Sequence, residues 1–164
     1  MAIIKPNNNT ISAITALPAS ITTGKVLQVK STVKTDATST TSSSYADITG
    51  MSVAITPTSS SNKILILTNL GLSGSDTGRS DKVRLLRGST AIVDPANLFR
   101  LASVNSVMYN ASLNFLDSPN TTSATTYKLQ WLNESGSGTS YLNRRGNDGT
   151  IFTTSIITVL EIAA

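Results

Sequence analysis

The chain has 164 residues and a mass of 17.2 kDa, and it contains no His and no Cys. These two absences exclude a Ser-His-Asp triad, a cysteine nucleophile, a disulfide framework and a His/Cys zinc site built from this chain alone. Ser and Thr account for 48 residues, whereas charged residues make up only 13%. The composition favours a single polar-surfaced domain, rich in β-structure, that encodes no reactive centre.

The net charge of +4 is too diffuse to indicate a nucleic-acid partner. Phosphate binding needs basic side chains gathered on one face, and base stacking needs aromatic side chains among them. The densest basic stretch, residues 79–87, contains Asp81 and no aromatic residue. We interpret it as a solvated strand face or a protein contact, and we expect no nucleic-acid binding.

The first residues lack the apolar core of a signal peptide, because Lys5 and Pro6 interrupt them at once. No apolar run approaches the roughly 20 residues that span a bilayer. We therefore expect synthesis in the cytoplasm and no membrane insertion.

Residues 1–24 are predicted to be an N-terminal arm, ahead of a β-sandwich domain at 25–164. Pro18 and the many β-branched residues favour an extended segment over a helix. We expect the arm to dock on its own domain or on another copy. Its candidate interface residues recur at spacings of three and four: Ile11, Ile14, Leu17 and Ile21.

From Lys25 onward the apolar residues alternate with polar ones, which is the strand period. Turn residues divide the chain into eight to ten short strands. The expected strands cover 25–33, 45–48, 51–56, 63–70, 82–87, 90–93, 107–115, 127–133, 139–143 and 150–162. The pattern predicts an all-β fold, an antiparallel β-sandwich of jelly-roll type with an extended N-terminal arm.

Other segments are predicted to connect these strands. Residues 35–44 are Ser/Thr-rich without an apolar anchor, and 71–78 are punctuated by glycines, so both are expected to be loops. Asp94 followed by Pro95 predicts a short helix at 96–101. Asp148-Gly149 predicts a type I′ hairpin turn.

The aromatic side chains of the clearest strands are predicted to belong to the core rather than to a sugar-stacking platform. Each occupies the apolar side of an alternating strand. They are Tyr109, Phe115, Tyr127 and Trp131. The segments 63–70 and 150–162 are apolar on both faces, which predicts central strands or, for the last, a contact between subunits.

No catalytic, cofactor or metal site is predicted. The carboxylates are isolated along the sequence, and the closest set, Asp76 and Asp81, matches no calcium loop and has Arg79 between its members. Glu161 lies in an apolar strand, so it must face solvent or meet a cation. We expect solvent exposure.

A second candidate interface is Tyr141 beside Arg144 and Arg145, because aromatic and Arg side chains often anchor protein contacts.

Several motifs together resemble a group of tailed-phage virion proteins, common in aquatic phages including cyanophages. They are Gly24-Lys25-Val26-Leu27-Gln28-Val29 and the segments 44–57, 61–66, 116–119, 125–130 and 157–164. Members are labelled tail-fibre-like or capsid-decorating.

The resemblance implies a jelly-roll-like sandwich, usually trimeric, displayed on a virion. The short arm and the lack of shaft repeats favour a capsid cement, or decoration, protein on the capsid exterior, with itself and the major capsid protein as partners. The alternative is a tail-fibre tip that contacts tail proteins and reads host glycan through loops 35–44, 72–81 and 135–149. An enzyme using two carboxylates is the least favoured reading.

Overall fold

The computed structural model describes residues 25–75, 80–94, 99–100, 107–134 and 136–164, so the predicted arm lies outside the described residues. Within these ranges the chain forms twelve strands and no helix. The strands are β1 (Val26–Lys34), β2 (Thr38–Thr40), β3 (Ala46–Ile55), β4 (Lys63–Gly74), β5 (Ser80–Arg87), β6 (Thr90–Val93), β7 (Phe99–Arg100), β8 (Tyr109–Ala111), β9 (Asn114–Asp117), β10 (Thr125–Asn133), β11 (Ser140–Leu142) and β12 (Ser155–Ile162).

The strands form two antiparallel sheets, which confirms the predicted all-β sandwich. The seven-stranded sheet has the order β1-β12-β4-β11-β2, and β8 and β9 also pair with β4. The five-stranded sheet has the order β3-β10-β5-β6, and β7 pairs with β5. The strand order explains why the segments 63–70 and 150–162 are apolar on both faces, since β4 and β12 are both interior strands. The last strand begins at Ser155 rather than at residue 150.

The core lies between the inward faces of the two sheets. β10 and β12 bury every second side chain, as the period of two requires. Tyr127 and Trp131 are fully buried, and Tyr109 and Phe115 pack against the core from its margin. The prediction that these aromatic side chains belong to the core is therefore confirmed.

Two predicted loops are wrong, because they contain strands. Thr38–Thr40 forms β2, which pairs with β11 although it has no apolar anchor. Backbone ladder bonds and the β-propensity of Thr suffice at this edge. Gly71 and Gly74 lie within β4, where a Cβ added at Gly71 would be 2.1 Å from the Thr153 side chain. A close approach between chain segments, rather than a turn, requires this glycine.

The predicted helix is wrong where the structure describes it, since Phe99–Arg100 forms β7 and pairs with β5. The rest of that prediction lies outside the described residues. Long-range pairing supplies backbone hydrogen bonds that outweigh a local helix-start signal. The predicted strand at 107–115 is also divided, into β8 and β9, which both pair with β4.

Backbone conformation corrects two further predictions. The pieces predicted at 45–48 and 51–56 form one strand, β3, in which Gly50 adopts a φ of +83° where the register with β10 shifts. Glycine is suited to such a bulge. At Asp148-Gly149 only Gly149 has a positive φ, so the turn is not type I′. The Arg145 amide donates to the Ile151 carbonyl (2.8 Å) and closes a longer connection.

Candidate protein-binding surface

The outer face of the seven-stranded sheet carries a continuous row of aliphatic side chains. The register places Val29 opposite Leu160, Leu160 opposite Leu65, and Leu65 opposite Leu116. The row therefore crosses β1, β12, β4 and β9 in turn. We call the outward side of these four strands the apolar face.

The apolar face extends along the strands on both sides of this row. Val33 pairs with Ile156, and Thr158 pairs with Leu67. Val29 and Val33 are 54% and 55% exposed, and Leu116 is 49% exposed. The set of residues that face outward on these four strands contains a single charge, that of Lys63. A solvated sheet face normally alternates to polar side chains, so this face has the composition of a contact surface.

The apolar side of β1 does not contribute to the core. Val29 and Val33 lie on the same side of β1, and that side points away from the sandwich. Leu27 sits at the irregularity in the β1–β12 register and is 39% exposed. Burying one such side chain contributes about 1.5–3 kcal/mol, so covering the apolar face would stabilise a complex substantially.

The outer face of the five-stranded sheet has the opposite character. Asp47 accepts hydrogen bonds from Lys128 (2.9 Å) and Gln130 (2.6 Å), and Gln130 accepts in turn from Arg84 (2.9 and 2.7 Å). The Arg84 guanidinium lies 3.9 Å from the centre of the Tyr45 ring. These polar groups satisfy one another, which suits a surface that stays in water. The basic stretch predicted to be a solvated strand face contributes Arg84 to it.

The second predicted interface, Tyr141 with its two arginines, is only partly brought together. Arg144 stacks on the Tyr141 ring, 4.4 Å from its centre. Arg145 instead pairs with Asp148, and this contact and a Thr150 hydrogen bond lower the pKa of the Asp148 carboxyl to about 2. All three side chains are partly exposed. Whether they bind a partner remains a prediction.

The Tyr141 group lies beyond one end of the apolar face. Tyr141 pairs with Ser73, whereas the apolar face ends at Ile156, which pairs with Asn69. Four residues of β4 separate Asn69 from Ser73, or about 13 Å. Next to this group, Phe152 is 60% exposed and pairs with Arg144 through an isolated bridge. Sequence analysis missed Phe152 because it assigned residues 150–162 to one regular strand.

Glu161 is fully buried, so the expectation that it faces solvent is wrong. Its Oε1 accepts hydrogen bonds from the Thr58 amide (2.6 Å), the Thr58 hydroxyl (2.8 Å) and the Asn62 amide (2.6 Å), and its Oε2 accepts from Gln28 (2.6 Å). Burial favours the protonated form, but these hydrogen bonds outweigh it and lower the pKa of Glu161 to about 2. The carboxylate ties the turn between β3 and β4 to β1 and β12.

A second buried carboxylate, Asp117, is held by Arg87 (2.8 and 2.9 Å) and by the Tyr127 hydroxyl (2.7 Å). Burial and the neighbouring carboxylate raise the pKa of Tyr127. Arg87 also borders an open cleft of about 410 Å³, lined further by Gly88, Pro119 and residues between 121 and 126. Its guanidinium is directed to Asp117, so the cluster braces the turn after β9.

The remaining carboxylates that the structure describes lie apart from one another. Asp81 is buried and accepts a hydrogen bond from the Ser140 hydroxyl (2.6 Å), while Asp76 lies outside the described residues. Over the described ranges no three Asp or Glu side chains gather as metal ligands would. Nor does any helix long and apolar enough to cross a bilayer occur in that part of the chain.

No family model matches the chain, and no curated protein matches it. Solved structures of infectious bursal disease virus are similar in fold. The VP2 subviral particle has 14% identity and a TM-score of 0.47, over 85% of this chain and 38% of that one. The Gx strain has 16% identity and a TM-score of 0.47, over 90% and 43%. The derived T=1 particle has 11% identity and a TM-score of 0.49, over 91% and 40%.

The chain thus spans about two fifths of the length of these viral proteins. Similarity at this level concerns the fold alone and carries no argument about activity or partners. The class of the fold, an antiparallel β-sandwich, rests on the strand pairing of this chain itself.

Proposed function

We propose that the chain is a structural protein of a tailed-phage virion, a capsid cement or decoration protein that acts as a homotrimer on the exterior of the shell. The observation that carries this proposal is the contrast between the outer faces of the two sheets. The outer face of the seven-stranded sheet is apolar over four strands. On the outer face of the five-stranded sheet, polar side chains form hydrogen bonds with one another. A protein with one such apolar face is suited to holding other proteins, and the motif resemblance to tailed-phage virion proteins supports the proposal.

The proposed mechanism is mass action. A cement protein that binds only the assembled shell stabilises that shell by RT ln(1 + [L]/Kd), or about 2.7 kcal/mol at a hundredfold excess over Kd. The arm at 1–24 ties each copy to neighbouring copies and to the major capsid protein through its aliphatic residues. β1, at one end of the strand order, offers its backbone for strand addition. The Tyr141 group supplies a further contact.

Add-back to shells tests the proposal. Labelled full-length chain is mixed with shells of the phage that encodes it, purified without this protein, and binding is followed by co-sedimentation. We expect saturable binding that Ile14→Lys reduces at least tenfold, because a charge would enter an apolar contact. Asn8→Lys, which adds the same charge at a polar position of the arm, is the matched control and should bind normally. Equal binding by the two variants would remove the arm's role.

A tail-fibre tip that binds host glycan is the second candidate, favoured by the exposed Phe152 beside the stacked Arg144 and Tyr141. Aromatic faces stack on sugar rings, and arginine donates to hydroxyl and carboxylate groups. Saturable binding of host surface glycan that Phe152→Ala abolishes, together with no binding to shells, would favour this function over the first.

A further inference from the structure

A cleft opens at one end of the sandwich, beside the contact between Arg87 and Asp117 that joins the two sheets. Its volume is about 410 Å³, within the range of roughly 300–1,000 Å³ that small-molecule sites have. Arg87 and Gly88 line the cleft at the end of β5. The other lining residues lie between 119 and 126, in the connection from β9 to β10 and the first residues of β10.

Arg87 is held in place through one nitrogen of its guanidinium group. Nη1 donates to both oxygens of Asp117 (2.8 and 2.9 Å) and to the Ser118 carbonyl (3.2 Å). Within the described residues Nε and Nη2 make no hydrogen bond, and the side chain is 33% exposed. Nε and Nη2 share one edge of the planar group, and two parallel donors on one edge match the two oxygens of a carboxylate. Arg87 therefore borders the cleft with its orientation fixed and one donor edge unused.

Hydroxyl groups supply most of the remaining polar character of the cleft. Ser123 and Thr126 are exposed, and their hydroxyls make no hydrogen bond within the part of the chain that the structure describes. The Thr121 hydroxyl accepts from the Ser123 amide (3.0 Å), and the Thr125 hydroxyl donates to the Ser123 carbonyl (3.1 Å). These bonds tie the loop around Ser123 together. The cleft thus offers hydroxyl donors and acceptors of the kind that pair with the hydroxyl groups of a sugar.

The charge of the cleft favours an anionic ligand. Among the described residues that line it, Arg87 alone is charged. Asp117 lies behind Arg87, is 8% exposed, and already accepts from Arg87 and from the Tyr127 hydroxyl. A phosphate dianion is usually bound by several cations or by a row of backbone amides, whereas one guanidinium edge suits a single carboxylate. The combination of one such edge with hydroxyl groups fits a sugar that carries a carboxylate.

We propose that this cleft binds a carboxylate-bearing sugar residue of an acidic polysaccharide. The Nε–Nη2 edge of Arg87 pairs with the carboxylate, and the hydroxyls of Ser123 and Thr126 pair with hydroxyls of the ring. Because Asp117 orients Arg87 before the ligand arrives, little side-chain freedom is lost on binding.

The proposed sugar site is separate from the Tyr141 group. It lies at the end of the sandwich where Asp117 pairs with Ile64, near the start of β4. Tyr141 pairs with Ser73, near the other end of the same strand. The inference therefore goes beyond the proposed function and its glycan-binding alternative, and it requires neither a shell nor a second copy of the chain.

Titration of the isotopically labelled full-length chain with the methyl glycoside of glucuronic acid tests the proposal by NMR. We expect the amide resonances of Gly88 and Thr126 to shift saturably, with a dissociation constant on the order of a millimolar. The methyl glycoside of glucose, which has no carboxylate, should bind at least tenfold more weakly, because Arg87 loses its charged partner. Equal affinity for the two sugars, or no saturable shift with the glucuronide, would overturn the proposal. Equal affinity for inorganic phosphate would also overturn it, since the cleft would then accept any small anion.

Two variants with the same added charge locate the site. Ser123→Asp places a carboxylate beside Arg87 at the cleft, where it repels the carboxylate of the sugar, and should weaken glucuronide binding at least fivefold. Ser43→Asp adds the same charge at an exposed position between β2 and β3 and should bind as wild type does. Equal binding by the two variants would contradict the assignment.

Arg87→Ala removes the donor edge, but it also leaves the buried Asp117 without its cation, so its circular dichroism is recorded beside its binding. A folded Arg87→Ala variant that binds the glucuronide as wild type does would overturn the proposal, and Ser123→Asp decides the question if this variant does not fold. None of these measurements involves a particle, so a failure here is distinct from a failure of the cement function.

Discussion

Replacement of the buried Glu161 by Gln should destabilise the protein strongly, although the two side chains have nearly the same shape. The variant keeps one acceptor oxygen and gains an NH₂ group. If the oxygen stays with Thr58 and Asn62, the new NH₂ faces the Gln28 amide, donor against donor. Hydrogen bonds to a charged group contribute about 1.5–3 kcal/mol each. With one lost and the others weakened, we expect a loss of about 2–4 kcal/mol in the free energy of unfolding at pH 7.

The direction of the pKa shift determines how the contribution of Glu161 to stability depends on pH. The pKa of Glu161 falls from its ordinary 4.5 to about 2 on folding, so ionisation favours the folded state. This contribution is fully present above pH 4.5 and is lost as the pH falls through about 2. The difference between wild type and Glu161→Gln should therefore shrink between pH 5 and pH 2.

Urea unfolding at several pH values measures this difference. Glu134→Gln is the control, because Glu134 pairs with Lys82 at the surface and should contribute less than about 1 kcal/mol. A Glu161→Gln variant as stable as this control at pH 7, or a difference that does not change with pH, would refute the reasoning.

Three further substitutions have definite expected effects on urea unfolding. Gly71→Ala should lower the free energy of unfolding by about 1–3 kcal/mol, because its new methyl group would collide with Thr153. Stability equal to wild type would show that the two segments separate freely. Tyr127→Phe should lose about 1–2 kcal/mol by removing the hydroxyl that donates to Asp117, and an unchanged unfolding midpoint would contradict this. Asn143→Ala should lose at least about 2 kcal/mol, because the buried amide donates to two carbonyls and accepts from one hydroxyl, and a smaller loss would mean that water replaces those bonds.

The sandwich was predictable because its strands alternate clearly. In β10, three inward side chains, Tyr127, Leu129 and Trp131, follow the period of two, and all are buried. The sheet order was not predictable, since pairings such as β1 with β12 join residues more than 120 positions apart. Short strands without apolar anchors, such as β2, also carry no periodic signal.

The candidate surface was harder to predict than the fold. Alternation shows that Val29 and Val33 share a side of β1, but it does not show which side faces the core. That choice depends on the neighbouring strands. The prediction that Glu161 faces solvent was wrong for a related reason. Its hydrogen-bond donors belong to Gln28, Thr58 and Asn62, which are distant from it in sequence. They are also uncharged, whereas the prediction allowed only solvent or a cation as partners.

The position of the chain in an intact particle tests the central proposal most directly. Quantitative mass spectrometry of purified virions, before and after removal of the tails, gives both location and copy number. The account predicts many copies for each particle, in a fixed ratio to the major capsid protein, that stay with the shells. A few copies that leave with the tails would contradict it.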